Sequence, residues 1–269
     1  NIPLSFFFLF FSLLSSFAIG EWHFGESHHS FHTHSKNMAA NLLQSMGPNY
    51  TLQPKKKHEA TVIFFHGLGD TGEGWCDTMK TFQRHGFSHV KFICPTAPTM
   101  PVTLNFGMQM PAWFDILSLQ KDGPVDKDGI TKSKLIVEHF VKEEVKNGIP
   151  PSKIVVGGFS QGGAISLFGA LQCTEGKLAG VMALSGFLPL PEGLIEHATQ
   201  ENKQTPVFMG HGNADPVVNY AFGTASSQHL KENGFNVDFR TYKNLGHSVN
   251  PEEIDDVRKF LLQVIGSDE

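Results

Sequence analysis

Cysteine is scarce in this chain: Cys76, Cys94 and Cys173 are the only three among 269 residues. An odd count with no C-x-x-C spacing excludes a disulfide framework and a cysteine-based zinc site. It fits reduced thiols and a reducing compartment. An excess of positive charge is also missing. Lys and Arg total 21 against 26 Asp and Glu, and the net charge of −5 offers no field for nucleic acid. Charged residues reach only 17% while hydrophobic ones make 40%, which excludes a mostly disordered chain and a coiled coil. No internal repeat is visible, and the length suits a single α/β domain.

The first 37 residues differ from the rest. Ile2 to Gly20 is rich in Phe, Leu and Ser, Phe6 to Phe11 is unbroken and apolar, and Ala18-Ile19-Gly20 has the form of a small-x-small cleavage site. This is the core of a signal peptide without its basic start, since no Lys or Arg precedes Lys36 and the first Met is Met38. Two readings stand: a leader for the secretory pathway, or upstream sequence read in frame with translation starting at Met38. Pro3 and four serines make the stretch a poor transmembrane anchor. His28, His29, His32 and His34 read as a disordered linker rather than a metal-binding tract. The sequon Asn49-Tyr50-Thr51 matters only in a secreted chain. The expected organisation is a leader over 1–37 (signal-peptide-like or non-native, and disordered), a lead-in over 38–59, and a catalytic domain over 60–266.

From Ala60 onward strands and helices alternate. Ala60–Phe65 has the pattern of a buried strand, and so do Val90–Cys94, Lys153–Val156, Leu178–Leu184, Pro206–Met209 and Val237–Tyr242. Lys132–Asn147 sets Leu135, Ile136, Phe140 and Val141 at helical spacing and ends at Gly148. Asn250 caps a last helix, with Pro251 in its first position and Glu252 and Glu253 in its first turn. Nearly continuous apolar strands between amphipathic helices predict a mostly parallel central sheet with helices on both faces. Met100–Pro111 reads as one long irregular stretch, unusually apolar for a loop.

Gly158-Phe159-Ser160-Gln161-Gly162 carries the main chemical signal. G-x-S-x-G between a β-rich run and a small-residue helix has the form of a nucleophile elbow. The serine must stand on a strained turn, and side chains two positions either side would collide. A serine hydroxyl needs a base, held in turn by a third group. His247, between the last strand and the last helix, is placed for the base, whereas His229 sits in a helical run and reads as a surface residue. Asp215 follows a strand and supplies the acid; Asp238 lies within a strand and faces solvent. The order Ser160, Asp215, His247 is that of α/β-hydrolases. Gly67-Leu68-Gly69-Asp70-Thr71-Gly72 matches a dinucleotide fingerprint, but the acid due about 20 residues later is missing. A better reading is a loop whose N–H groups face the serine, together with the N–H of Gln161.

Taken together, the chain resembles the acyl-protein thioesterase/lysophospholipase family of α/β-hydrolases. The resemblance rests on His66-Gly67-Leu68-Gly69-Asp70-Thr71-Gly72, Pro101-Val102-Thr103-Leu104-Asn105, Trp113-Phe114-Asp115, Lys146-Asn147-Gly148-Ile149-Pro150, Gly157 to Gly163, Leu184-Ser185 with Leu188-Pro189-Leu190, and His211-Gly212 with Asp215-Pro216. It implies a single-domain α/β-hydrolase fold and a cytoplasmic serine hydrolase. Such an enzyme removes long acyl groups from protein cysteines and also cleaves lysophospholipids and simple esters. It further implies Ser160 as nucleophile, Asp215 as orienting acid, His247 as base, and Leu68 and Gln161 as oxyanion donors. Val102, Leu104, Met108, Met110, Trp113 and Leu188 would form the acyl channel. S-acylated (palmitoylated) proteins and lysophospholipids would be substrates, with a transiently contacted membrane surface as partner and a weak homodimer left open. The leader has no counterpart in that family, and no Cys lies near Met38, so the N-terminal lipidation site of some members is absent here.

The apolar residues of the Met100–Pro111 stretch suit a lipid chain on their own terms. A thiol with a pKa of about 8.5 leaves more readily than an amine, favouring thioester or ester over amide cleavage. Three other classes remain: a short-chain carboxylesterase, a non-catalytic α/β-hydrolase acting as a ligand receptor, and a peptidase. No metal or organic cofactor is implied.

Overall fold

The computed structural model describes residues 40–118, 120 and 123–268. The leader, the histidine tract and Met38 lie outside the described residues.

Among the described residues nine strands form two sheets. β1 (Gly47–Leu52), β2 (Ala60–Phe65), β3 (Val90–Thr96), β6 (Ile154–Phe159), β7 (Gly180–Leu184), β8 (Val207–Gly212) and β9 (Val237–Tyr242) make the main sheet, in the order β1-β3-β2-β6-β7-β8-β9. Within this sheet only β1 runs antiparallel to its neighbour; the other pairings are parallel. The main helices are α1 (Cys76–Arg84), α2 (Lys127–Lys146), α3 (Gln161–Ala170), α4 (Tyr220–Glu232) and α5 (Pro251–Ile265). The predicted mostly parallel sheet is therefore present.

Helices cover both faces because each strand offers apolar groups to both. Within β2, Ile63 and Phe65 join one core with Phe140 of α2 and Leu167 of α3, while Val62 and Phe64 join another with Phe82 of α1 and Phe260 of α5. All six β2 residues are buried, and each large apolar side chain removed from water contributes about 1.5–3 kcal/mol. Among the described residues no helix is long and apolar enough to cross a membrane.

The fold corrects three readings of the sequence. The lead-in supplies β1, an edge strand of the main sheet. The stretch taken as irregular is a hairpin: β4 (Thr99–Val102) pairs with β5 (Met108–Pro111), Met100 opposite Met110 and Val102 opposite Met108. Its turn holds Phe106 (φ 55°) and Gly107 (φ 74°) left-handed. A two-stranded ribbon has free edges, where proline costs no ladder bond. Finally, α2 starts at Lys127, not Lys132, because the Asp126 carboxylate accepts from the Gly129 N–H at 2.9 Å and caps an additional turn.

Candidate active site

Ser160 stands at the junction of β6 and α3 with φ 55° and ψ −118°, a conformation rare for a side chain with a Cβ. The surroundings impose it. A Cβ on Gly162 would lie 2.1 Å from the Phe65 carbonyl oxygen, and one on Gly158 would lie 2.4 Å from the Gly162 carbonyl carbon. The chain can turn this tightly only where both residues lack side chains. All ten residues of α3 are buried, so the strained turn is held by the packing of the helix behind it.

Asp215 and His247 reach the same place from the loops after β8 and β9. His247 Nδ1 donates to Asp215 Oδ2 at 2.8 Å, leaving Nε2 to accept from the Ser160 hydroxyl at 3.0 Å. The opposite carboxylate oxygen of Asp215 accepts the N–H groups of Val217 and Val218, both at 2.9 Å. The acid is thus fixed by its own backbone before it meets the imidazole. His211 donates from Nε2 to the Val218 carbonyl at 2.9 Å, and its burial holds its pKa below the usual histidine range. It stays neutral beside Asp215, 3.5 Å away, and leaves that carboxylate's charge for His247.

The loop after β2 approaches the serine closely. A Cβ on Gly67 would lie 3.4 Å from Ser160 Cβ. Among the described residues the N–H groups of Leu68 and Gln161 have no acceptor. Two free donors beside a serine hydroxyl are chemically suited to hold a negatively charged oxygen.

The six expected channel residues take different places. Val102 and Trp113 are buried in the core, and the Trp113 indole N–H is spent on the His66 carbonyl at 2.8 Å. Leu104 and Met108 are exposed on the hairpin. Met110 is partly buried, its sulfur accepting from Asn105 Nδ2 at 3.3 Å. Leu188 alone lines the apolar cavity, a space of about 360 Å³ whose other walls include Phe187, Val217, Val218 and Phe222. Val217, two residues past Asp215 in the chain, is one of its walls. His229 lies on α4, as read, but its ring also borders this cavity. Asp238 is exposed on β9, in keeping with its reading.

Sequence reasoning missed three supporting contacts. Phe159 stacks on the His247 ring with centroids 4.8 Å apart. His66 donates from Nδ1 to the Gly67 carbonyl and accepts the Ala97 N–H on Nε2 at 3.0 Å, its pKa lowered by burial. The Gln161 carboxamide bonds to the backbone of Trp113 and Phe114. Phe159, His66 and Gln161 all stand in motifs visible in the sequence, but the partners of their side chains do not show there.

A family model described as phospholipase/carboxylesterase matches residues 47–265. Acyl-protein thioesterase 1 homolog 1 of Dictyostelium discoideum is 46% identical over 209 residues, covering 77% of this chain and 92% of that protein. Acyl-protein thioesterase 1 of Neurospora crassa is 46% identical over 215 residues, covering 77% and 87%. Among solved structures, acyl-protein thioesterase 2 of Zea mays superposes with a TM-score of 0.73 at 36% identity, over 82% of this chain and 100% of that one. With that breadth of agreement in sequence and in fold, this chain belongs to the phospholipase/carboxylesterase family of α/β-hydrolases.

Proposed function

We propose that this protein is a serine hydrolase that releases long acyl chains from protein cysteine thioesters, with lysophospholipid and carboxyl esters as further substrates. The observation that carries the reading is the unbroken hydrogen-bond chain from Ser160 through His247 to Asp215 at a strained elbow. Residues 60–266, with β1 added from the lead-in, form its catalytic unit.

Ser160 Oγ attacks the acyl carbonyl while His247 Nε2 takes the hydroxyl proton. The carbonyl oxygen becomes negative and is held by the Leu68 and Gln161 N–H groups, each typically worth about 10²–10³ in rate. His247 returns the proton to the departing thiolate or alkoxide. The imidazole then deprotonates a water that attacks the acyl-serine, the bond from the acyl carbon to Ser160 Oγ breaks, His247 returns the proton to that oxygen, and the fatty acid leaves. The cavity at Leu188, Val217 and Val218 supplies an apolar berth for the chain. That berth favours a long-chain hydrolase over a short-chain carboxylesterase.

Transient contact with a membrane suits the hairpin, whose tip turns Phe106 fully outward beside exposed Met108 and Leu104. Apolar groups presented together in this way mark a contact surface. The three cysteines are free and buried, which fits work in the cytoplasm. N-terminal sequencing of the native protein tests that placement against the secretory alternative.

A fluorophosphonate probe with intact-mass readout tests the chemistry. One adduct is expected on the native protein and none on Ser160→Ala; an adduct on both overturns the assignment. Initial rates on acetyl, octanoyl and palmitoyl thioesters should rise with chain length.

A further inference from the structure

The two proposed oxyanion donors lie on separate loops, Leu68 after β2 and Gln161 after β6. These strands are paired, Phe65 opposite Gly158, but the loops leave the sheet beyond the last rung. Hydrogen bonds between paired strands do not set the distance between donors that lie past them. Some other contact has to.

The segment Pro111–Phe114, which starts at the last residue of β5, touches both loops. On the β2 side, the Gly69 N–H donates to the Pro111 carbonyl at 2.8 Å and the Trp113 indole N–H donates to the His66 carbonyl at 2.8 Å. Leu68 is therefore bracketed, with its neighbours on both sides tied to one short stretch of chain. On the β6 side, Gln161 Oε1 accepts the Trp113 N–H at 2.9 Å and Nε2 donates to the Phe114 carbonyl at 2.7 Å. Ser133 of α2 donates to the Trp113 carbonyl and secures the stretch from behind. Gln161 is only 2% exposed, so water cannot replace either bond.

We propose that the Gln161 side chain is a positioning group for the oxyanion hole, fixing the spacing of the Leu68 and Gln161 N–H groups by clamping the elbow to the Trp113–Phe114 frame that also holds the β2 loop. This rests on the serine-hydrolase reading above and adds a role for a side chain whose backbone alone that reading uses. A carboxamide suits the task because one planar group must accept from an N–H and donate to a carbonyl at once. A hydrocarbon of the same length does neither. A carboxylate accepts but sets a negative oxygen against the Phe114 carbonyl, whereas its protonated form satisfies both partners.

The experiment compares wild type, Gln161→Met, Gln161→Glu and Ser160→Ala on a short soluble p-nitrophenyl ester, with thermal melting run alongside. Gln161→Met, folded, should lose about 10-fold or more in kcat with KM within about twofold, the signature of an interaction felt in the transition state. The ratio of the Gln161→Glu rate to the wild-type rate should fall as pH rises and the buried carboxyl ionises. Any pH dependence that the two proteins share divides out of this ratio. A merely structural side chain would lower the melting temperature and leave both readouts unchanged. Wild-type kcat in folded Gln161→Met, a rise in KM at constant kcat, or a flat rate ratio overturns the proposal. Should Gln161→Met fail to fold, the Gln161→Glu ratio decides. Activity retained in Ser160→Ala means instead that the underlying hydrolase reading has failed.

Discussion

The phenyl ring of Phe159 lies against the imidazole of His247, centroids 4.8 Å apart and planes inclined by 47°. Residue 159 immediately precedes the serine, so the strand that delivers Ser160 also braces its partner. Trp75 backs the same phenyl at 5.6 Å. Phe159→Ala removes this brace while leaving every hydrogen bond of the triad available. The expected result is a kcat lower by about 10- to 10²-fold with KM little changed, because small misplacements of a reacting group cost that much. Steady-state kinetics on a soluble ester checks it.

Asp215 divides its two oxygens between the backbone and the imidazole. Asparagine in its place keeps an oxygen for the Val217 and Val218 N–H groups. It turns an amide toward His247, however, and favours the wrong tautomer. Asp215→Asn should therefore melt close to wild type yet lose about 10⁴ in kcat. Differential scanning calorimetry and single-turnover acylation separate the two effects.

Glu253 sets a pH dependence of stability. It is fully buried, neither carboxyl oxygen has a partner among the described residues, and burial, reinforced by Asp256, lifts its pKa from 4.5 to about 8. Between those values the folded chain keeps a proton that the unfolded chain has released. Its contribution to stability therefore falls as pH rises through this window and levels off above it. Glu253→Gln removes that contribution, so the variant should gain on wild type from about pH 5 to pH 8 in urea unfolding.

The apolar hairpin tip makes a separate prediction. Phe106 is left-handed (φ 55°) and fully exposed, and asparagine tolerates that backbone. Phe106→Asn should reduce sedimentation with phosphatidylcholine vesicles while hydrolysis of a short soluble ester stays at the wild-type rate. Equal sedimentation of both proteins removes the hairpin as a membrane contact.

The sequence revealed local features most clearly. β2 and β9 match their predicted bounds residue for residue, because a buried parallel strand is apolar throughout and a helix-flanked edge strand is bounded by turns. The elbow was equally plain, its glycines being required by contacts within a few residues and with the next strand. β1 was hidden because it is a half-exposed edge strand containing Pro48. The hairpin was hidden because its turn uses Phe106 where a glycine or asparagine would have announced it. Cavity walls were the least legible. They come from around Val125, Leu188, Val217 and His229, and only folding brings these together. Likewise, Gln161 Nε2 meets a carbonyl 47 positions away, which no local pattern encodes.

The sheet order has a last consequence. Ser160 rides on β6, flanked by β2 and β7, whereas Asp215 and His247 follow β8 and β9, the last two strands at one margin. With the roles proposed above, a molecule whose margin has come undone carries Ser160 apart from its base, so hydrolysis requires the last two strands to be in place and local opening at this edge should cost activity before it costs the centre of the sheet.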